Sequence, residues 1–370
     1  FPGTTGGAQP DNAGAFDAFV ARLSADLTTL HQATYLGGYS GSEVTVSLAI
    51  NDEGVYVKGR TNSGNRGAID DDNWPANLMN PVVPPQAEFG GGIEDLFVAL
   101  LDKELTRPTM VTYLGGDGVE ETKGSRIVVN SKGDVYISGQ TSSDGSSVEK
   151  TGISWTPGAF VVRYPSNLSR TTTDPYTIVG GGLTDVLYHS ATGNHSLYIL
   201  GTAGKGSTLP GLNSGKAVLQ PEAAGGVDAF ISGFDADLTL ATATSTYLGG
   251  TGNDTPLEFV EHPSSGDLYV LGQTDSLDFP RTAGGARPSN AGPIDAFVAR
   301  LTADLTTPAA SLSTYFGGAE NESPSAIAID ADTGDVLIAG ATFSPDLPRT
   351  GSRAQPTMIS EPDGFVAVSY

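Results

Sequence analysis

The chain has 370 residues, 42 of them acidic and 19 basic, with a formal charge of −23, 49 glycines, four histidines and no cysteine. Disulfides and thiolate metal sites are therefore excluded. The acidic balance argues against nucleic acid as a partner, since that affinity rests on basic side chains facing phosphates. With no run of about 18 apolar residues, no membrane span is expected.

Residues 1–16 are a polar lead. Phe1 is not an initiator Met, and FPGTTGGAQP matches FPRTAGGARP at 279–288, so the chain begins in mid-repeat, as a processed or excerpted product would. The phrase DAFVARL at 17–23 then opens a series. Related phrases begin at Asp95, Gly158, Asp228, Asp295 and Asp363, at steps of 63 to 78 residues. Tyr35, Tyr113, Ile178, Tyr247 and Tyr315, each followed by an apolar residue and Gly-Gly, keep the same phase. So do Gly59, Gly139, Gly201, Gly272 and Gly340, which end phrases of the VYVKG type. Three markers in one phase define a structural repeat.

Each unit holds four runs rich in Val, Ile, Tyr, Phe and Thr, bounded by Gly, Asp, Asn or Ser. In the first unit they are 17–23, the run closing at Tyr35-Leu36-Gly37-Gly38, 44–50 and 54–59. A long link follows, with DDDNWPANLMNPVVPPQ and Trp74 beside carboxylates, a candidate platform for a sugar. The second unit gives 95–101, 112–116, 126–130 and 135–139. The third is degenerate, with Gly158-Ala159-Phe160 for Asp-Ala-Phe and Thr177-Ile178-Val179 for Thr-Tyr-Leu. The last full unit gives 295–301, 312–316, 326–330 and 336–340, and 363–370 repeats the first phrase once more. Short polar links such as NDEG and DADTGD join the third and fourth runs, which is hairpin chemistry.

The expected fold is all-β: a β-propeller of four-stranded antiparallel blades, with five blades and six as the alternative. A single domain spans 1–370, with units at 17–94, 95–157, 158–227, 228–294 and 295–362, and an extra strand at 363–370. Five units supply every strand that five blades need. The strand bearing Asp17, Phe19 and Val20 and the one bearing Phe365, Val366 and Val368 therefore compete for one slot, and one should be left over. A leftover strand carries unpaired backbone groups that proteins normally hide. Donated to another molecule it would build a head-to-tail polymer; packed on its own blade edge it would not.

Oxygen-rich turns mark candidate calcium ligands at Asp254, Asp330, Asp332 and Asp335, although turn chemistry alone explains the same residues. No other cofactor is expected. Asn167, Asn194, Asn253 and Asn321 stand in Asn-x-Ser/Thr sequons. His31, His189, His195 and His262 occupy non-equivalent places, no Gly-x-Ser-x-Gly elbow occurs, and no ring of matching acids is visible, so no catalytic residues are assigned.

The phrases Asp295-Ala296-Phe297-Val298, Ser313-Thr314-Tyr315-Phe316-Gly317-Gly318, Gly266-Asp267-Leu268-Tyr269-Val270 and Ser276-Leu277-Asp278-Phe279-Pro280 together resemble the bacterial β-propeller repeat family known as SBBP repeats. The likeness covers nearly the whole chain and is weakest at 142–182. It implies a propeller in exported or cell-surface proteins and transfers no catalytic residue. The function expected is an extracellular structural protein, a propeller subunit that self-assembles into a filament or surface layer. A lectin-like propeller that binds surface glycans through Trp74 is the alternative, and a polysaccharide hydrolase comes third.

Overall fold

The computed structural model describes residues 1–38, 41–64, 84–121, 126–144, 157–169, 176–179, 182–188, 195–212, 215–348 and 357–368. The protein is all-β, with repeated antiparallel sheets. Strands β1 (Ala18–Leu23) and β2 (Leu30–Leu36) form a two-stranded sheet, followed by β3 (Glu43–Ile50), β4 (Val55–Thr61), β5 (Asp95–Leu101) and β6 (Pro108–Leu114) paired in that order. The next sheet is irregular. It runs β11 (Tyr176–Val179), β10 (Gly158–Tyr164), β9 (Val135–Thr141), with both β7 (Glu120–Glu121) and β8 (Ile127–Val129) on the far side of β9.

Two regular sheets follow. One orders β12 (Gly182–Tyr188), β13 (Leu197–Gly204), β14 (Val227–Phe234) and β15 (Thr244–Leu248). The other orders β16 (Asp254–Glu261), β17 (Leu268–Thr274), β18 (Asp295–Leu301) and β19 (Leu312–Phe316). The last sheet has three strands among the described residues: β20 (Glu322–Ile329), β21 (Val336–Thr342) and β22 (Asp363–Val368).

Each complete sheet takes the last two strands of one sequence repeat and the first two of the next. The Gly-Gly after the Tyr strand is the crossing point between sheets. The chain divides into two compact units, Phe1–Ile178 and Val179–Tyr370.

Within each unit, consecutive sheets stack face to face. In the first, Leu96, Val98 and Leu100 of β5 meet Ile127, Val135 and Phe160 of the following sheet, while Phe97, Ala99 and Leu101 meet Ala18, Val20 and Leu36 of the preceding one. A strand covered on both faces reads as a continuous apolar run rather than an alternation, and every residue of β5 is buried. In the second unit, Leu271 packs with Ile327, Ile338 and Phe365.

Register is fixed by a recurring pair. Gly272 on β17 lies opposite Phe297 on β18, and a Cβ there would come within 2.5 Å of the Phe297 ring and of the Thr255 carbonyl oxygen. Only glycine leaves room for that ring. The same pairing joins Gly59 to Phe97, Gly139 to Phe160, Gly201 to Phe230 and Gly340 to Phe365.

Candidate functional site

At the Gly-Gly joints among the described residues, buried carboxylates lie against the glycines. Asp254, at the start of β16, accepts from the hydroxyls of Thr274 and Ser276 and from the Gly250 N–H at 2.8 Å. Glu43 accepts from Thr61, from Ser63 at 2.6 Å and from the Gly38 N–H. Glu322 accepts from Thr342 at 2.8 Å and from the Gly318 N–H. Glu120 accepts from Thr141 and Ser143, both at 2.6 Å.

The Asp that opens the Asp-Ala-Phe phrase reaches the same joint from the preceding sheet. Asp295 accepts from the Ala291 and Gly292 N–H groups, and Asp228 accepts from Ala224, Gly225 and Gln220. A Cβ on Gly317 would lie 2.3 Å from a Glu322 oxygen and 2.4 Å from an Asp295 oxygen. The two acids thus converge on a residue that has no side chain.

Burial pushes the carboxyls of Glu43, Asp228, Asp254, Asp295 and Glu322 above their ordinary range, against the opposing pull of their hydrogen-bond donors. A carboxyl with a raised folded-state pKa contributes stability that is fully present below the unfolded value, about 4, and is lost as pH rises through the folded one. Relief of mutual repulsion in a chain of charge −23 acts in the same direction. Lys58 titrates above pH 6.5, and the five carboxyls outnumber the buried His195, whose lowered pKa acts in the opposite sense. The urea midpoint is therefore expected to be higher at pH 5 than at pH 6.5. A midpoint that falls on acidification across that window would contradict this.

The other sequence candidates resolve separately. Asp254 is fully buried and spent on the clasp just described. Asp330 caps its own turn, accepting from the Asp332 and Thr333 N–H groups, while Thr333 donates to Asp335. These bonds lower the Asp330 carboxyl's pKa. Among the described residues no group of three or more His, Cys, Asp or Glu is placed to hold a metal ion. Asn167, Asn253 and Asn321 are exposed. Trp74 and Asn194 lie outside the described residues.

Among the described residues the terminal strands lie in a two-stranded and a three-stranded sheet. The slot beside β21 goes to β22, with Phe365 opposite Gly340. Among the described residues β1 has no glycine-bearing strand beside it and pairs with β2 alone. Exposure follows from this. Phe19 is 50% exposed, whereas its counterparts Phe97, Phe160, Phe230 and Phe297 are fully buried. Leu27 is 75% exposed, against 1–3% for Leu105 and Leu305. All three leucines hold a left-handed φ of 57° to 60°, a conformation costly for a branched side chain. Burial of the side chain offsets that cost at Leu105 and Leu305 but not at Leu27. Covering Phe19 and Leu27 would release about 1–2 kcal/mol each, since both are already partly buried.

On the three-stranded sheet, Val366 is 74% and Val368 39% exposed. Beside β22 lies a cavity of about 830 Å³ whose walls include Val298, Leu312, Phe316, Ser344, Phe365 and Met358. It occupies the place that a Tyr strand fills in the complete sheets. There the Tyr hydroxyl donates to a serine carbonyl one sheet connection earlier: Tyr113 to Ser63, Tyr247 to Ser207 and Tyr315 to Ser276. Ser344 is the corresponding residue in the three-stranded sheet. Tyr35, on β2, accepts from the Phe1 ammonium group at 3.0 Å, as Tyr315 accepts from the Phe279 N–H at 2.9 Å.

No protein-family model matches the chain, and no curated protein matches it. Among solved structures it is similar to the crystal structure of a protein of unknown function from Dyadobacter fermentans DSM 18053. That similarity has a TM-score of 0.36 and 12% sequence identity, and covers 84% of this chain and 74% of the other.

Proposed function

We propose that the chain is an extracellular structural protein, a five-bladed β-propeller subunit that assembles head to tail into a filament or surface layer by strand exchange. Five blades would consist of the four-stranded sheets already described, the irregular sheet around β9, and a last blade made by β20 and β21 with a first-type and a second-type strand. The observation that carries the reading is the pair of incomplete sheets, in which two copies of one phrase answer to a single glycine-bearing edge. An edge and an apolar face left uncovered in one molecule favour association. Because the two surfaces differ, the contact is heterologous and need not close. Placement outside the cell rests on the likeness to SBBP repeats. Negative-stain electron microscopy of concentrated protein is expected to show rods of regularly spaced particles, and isolated particles at every concentration would refute the assembly.

A further inference from the structure

We propose that the β1–β2 hairpin of a second copy of this chain seats on β21 in place of β22 and completes that sheet to four strands. The inference rests on the assembly reading and names its contact. Phe19 follows Asp17-Ala18 as Phe365 follows Asp363-Gly364, so the register that sets Gly340 against Phe365 sets Gly340 against Phe19. Glycine at 340 already makes room for a phenylalanine ring, since a Cβ there would come within 2.9 Å of Phe365. The incoming Phe19 then meets Phe316, which Phe365 now faces at 5.2 Å between centroids.

The second strand of the hairpin fills the cavity. Tyr35 lies opposite Phe19 in β1–β2, as Tyr315 lies opposite Phe297 in β18–β19. Seated on β21, the hairpin carries the Tyr35 hydroxyl toward the Ser344 carbonyl, the position that the Ser276 carbonyl holds for Tyr315. It also covers Phe19 and Leu27, two of the apolar side chains that are exposed here and buried in the other repeats. Exchange therefore offers two strands for one. Adding β2 alone to β22 would instead break the six pairs that join β2 to β1 and leave Phe19 uncovered.

The absence of cysteine makes the contact directly testable. Ala341 lies opposite Gly364 in β21–β22, so position 18 is brought opposite position 341 by the exchange. Protein carrying Ala18→Cys is mixed with protein carrying Ala341→Cys under mild oxidation. A species of twice the chain mass, with a disulfide joining positions 18 and 341, is the expected result. A further variant, Ala341→Cys with Gly364→Cys, locks β22 in place and is expected to lose self-association until reductant is added.

A disulfide that forms only inside chains carrying both Ala18→Cys and Ala341→Cys would overturn the inference, because the hairpin would then be closing its own sheet. Undiminished association of the locked variant would also overturn it, while leaving assembly through some other contact standing. Unmodified protein that stays monomeric would overturn both the inference and the assembly reading.

Discussion

Replacing Lys58 by methionine is expected to raise stability by about 2–4 kcal/mol at pH 7. Lys58 is fully buried on β4 and donates to the Ser138 carbonyl. Burial strips water from the ammonium and lowers its pKa from 10.5 to about 7. At about 1.4 kcal/mol per pH unit, that difference bounds the cost of keeping the lysine at about 5 kcal/mol. Some is returned in the substitution, because the Ser138 carbonyl loses its donor.

A depressed folded-state pKa contributes stability that is present above the unfolded value and lost as pH falls through the folded one. The gap between wild type and Lys58→Met should therefore be widest below pH 7 and close toward pH 10.5. Urea unfolding at pH 6, 7 and 10 checks both the size and the trend, and equal midpoints at pH 6 would refute the account of this residue. The counterparts of Lys58 in the other repeats are Ser138, Leu200, Leu271 and Ala339. That mostly apolar column is the signal by which sequence alone could have placed the lysine inside.

Asp254→Ala is expected to destabilise by about 3–5 kcal/mol, because the Thr274 and Ser276 hydroxyls and the Gly250 N–H all lose their acceptor inside the protein. Asp330→Ala is the control. That carboxylate serves an exposed turn, so its removal should change the urea midpoint far less. Equal effects of the two substitutions would mean that the joint is not the structural clasp described here. The expected loss also separates the roles of two aspartates that look alike in sequence, since both sit in turns rich in oxygen.

The sequence and the coordinates agree most closely where the pattern is strongest. The runs expected at 295–301 and 312–316 are β18 and β19. The third strand of the last full unit begins earlier than its pattern. It was expected at 326–330, but β20 begins at Glu322, with a register shift between Pro324 and Ala326. A glutamate after Gly-Gly reads as a polar link, and its burial becomes intelligible only once Thr342 and the Gly318 N–H are seen bonded to it.

Pairing across repeats was hidden for another reason. Periodicity reports spacing along the chain, while the choice of neighbour is made by the Gly-Gly crossing and by the Gly–Phe register, both of which connect residues far apart.

Sedimentation equilibrium of the unmodified protein across a hundredfold range of concentration tests most directly whether one glycine-bearing edge claimed by two copies of the same phrase drives association. The average mass is predicted to climb above the single-chain 37.9 kDa as concentration increases. A mass fixed at 37.9 kDa throughout would contradict it.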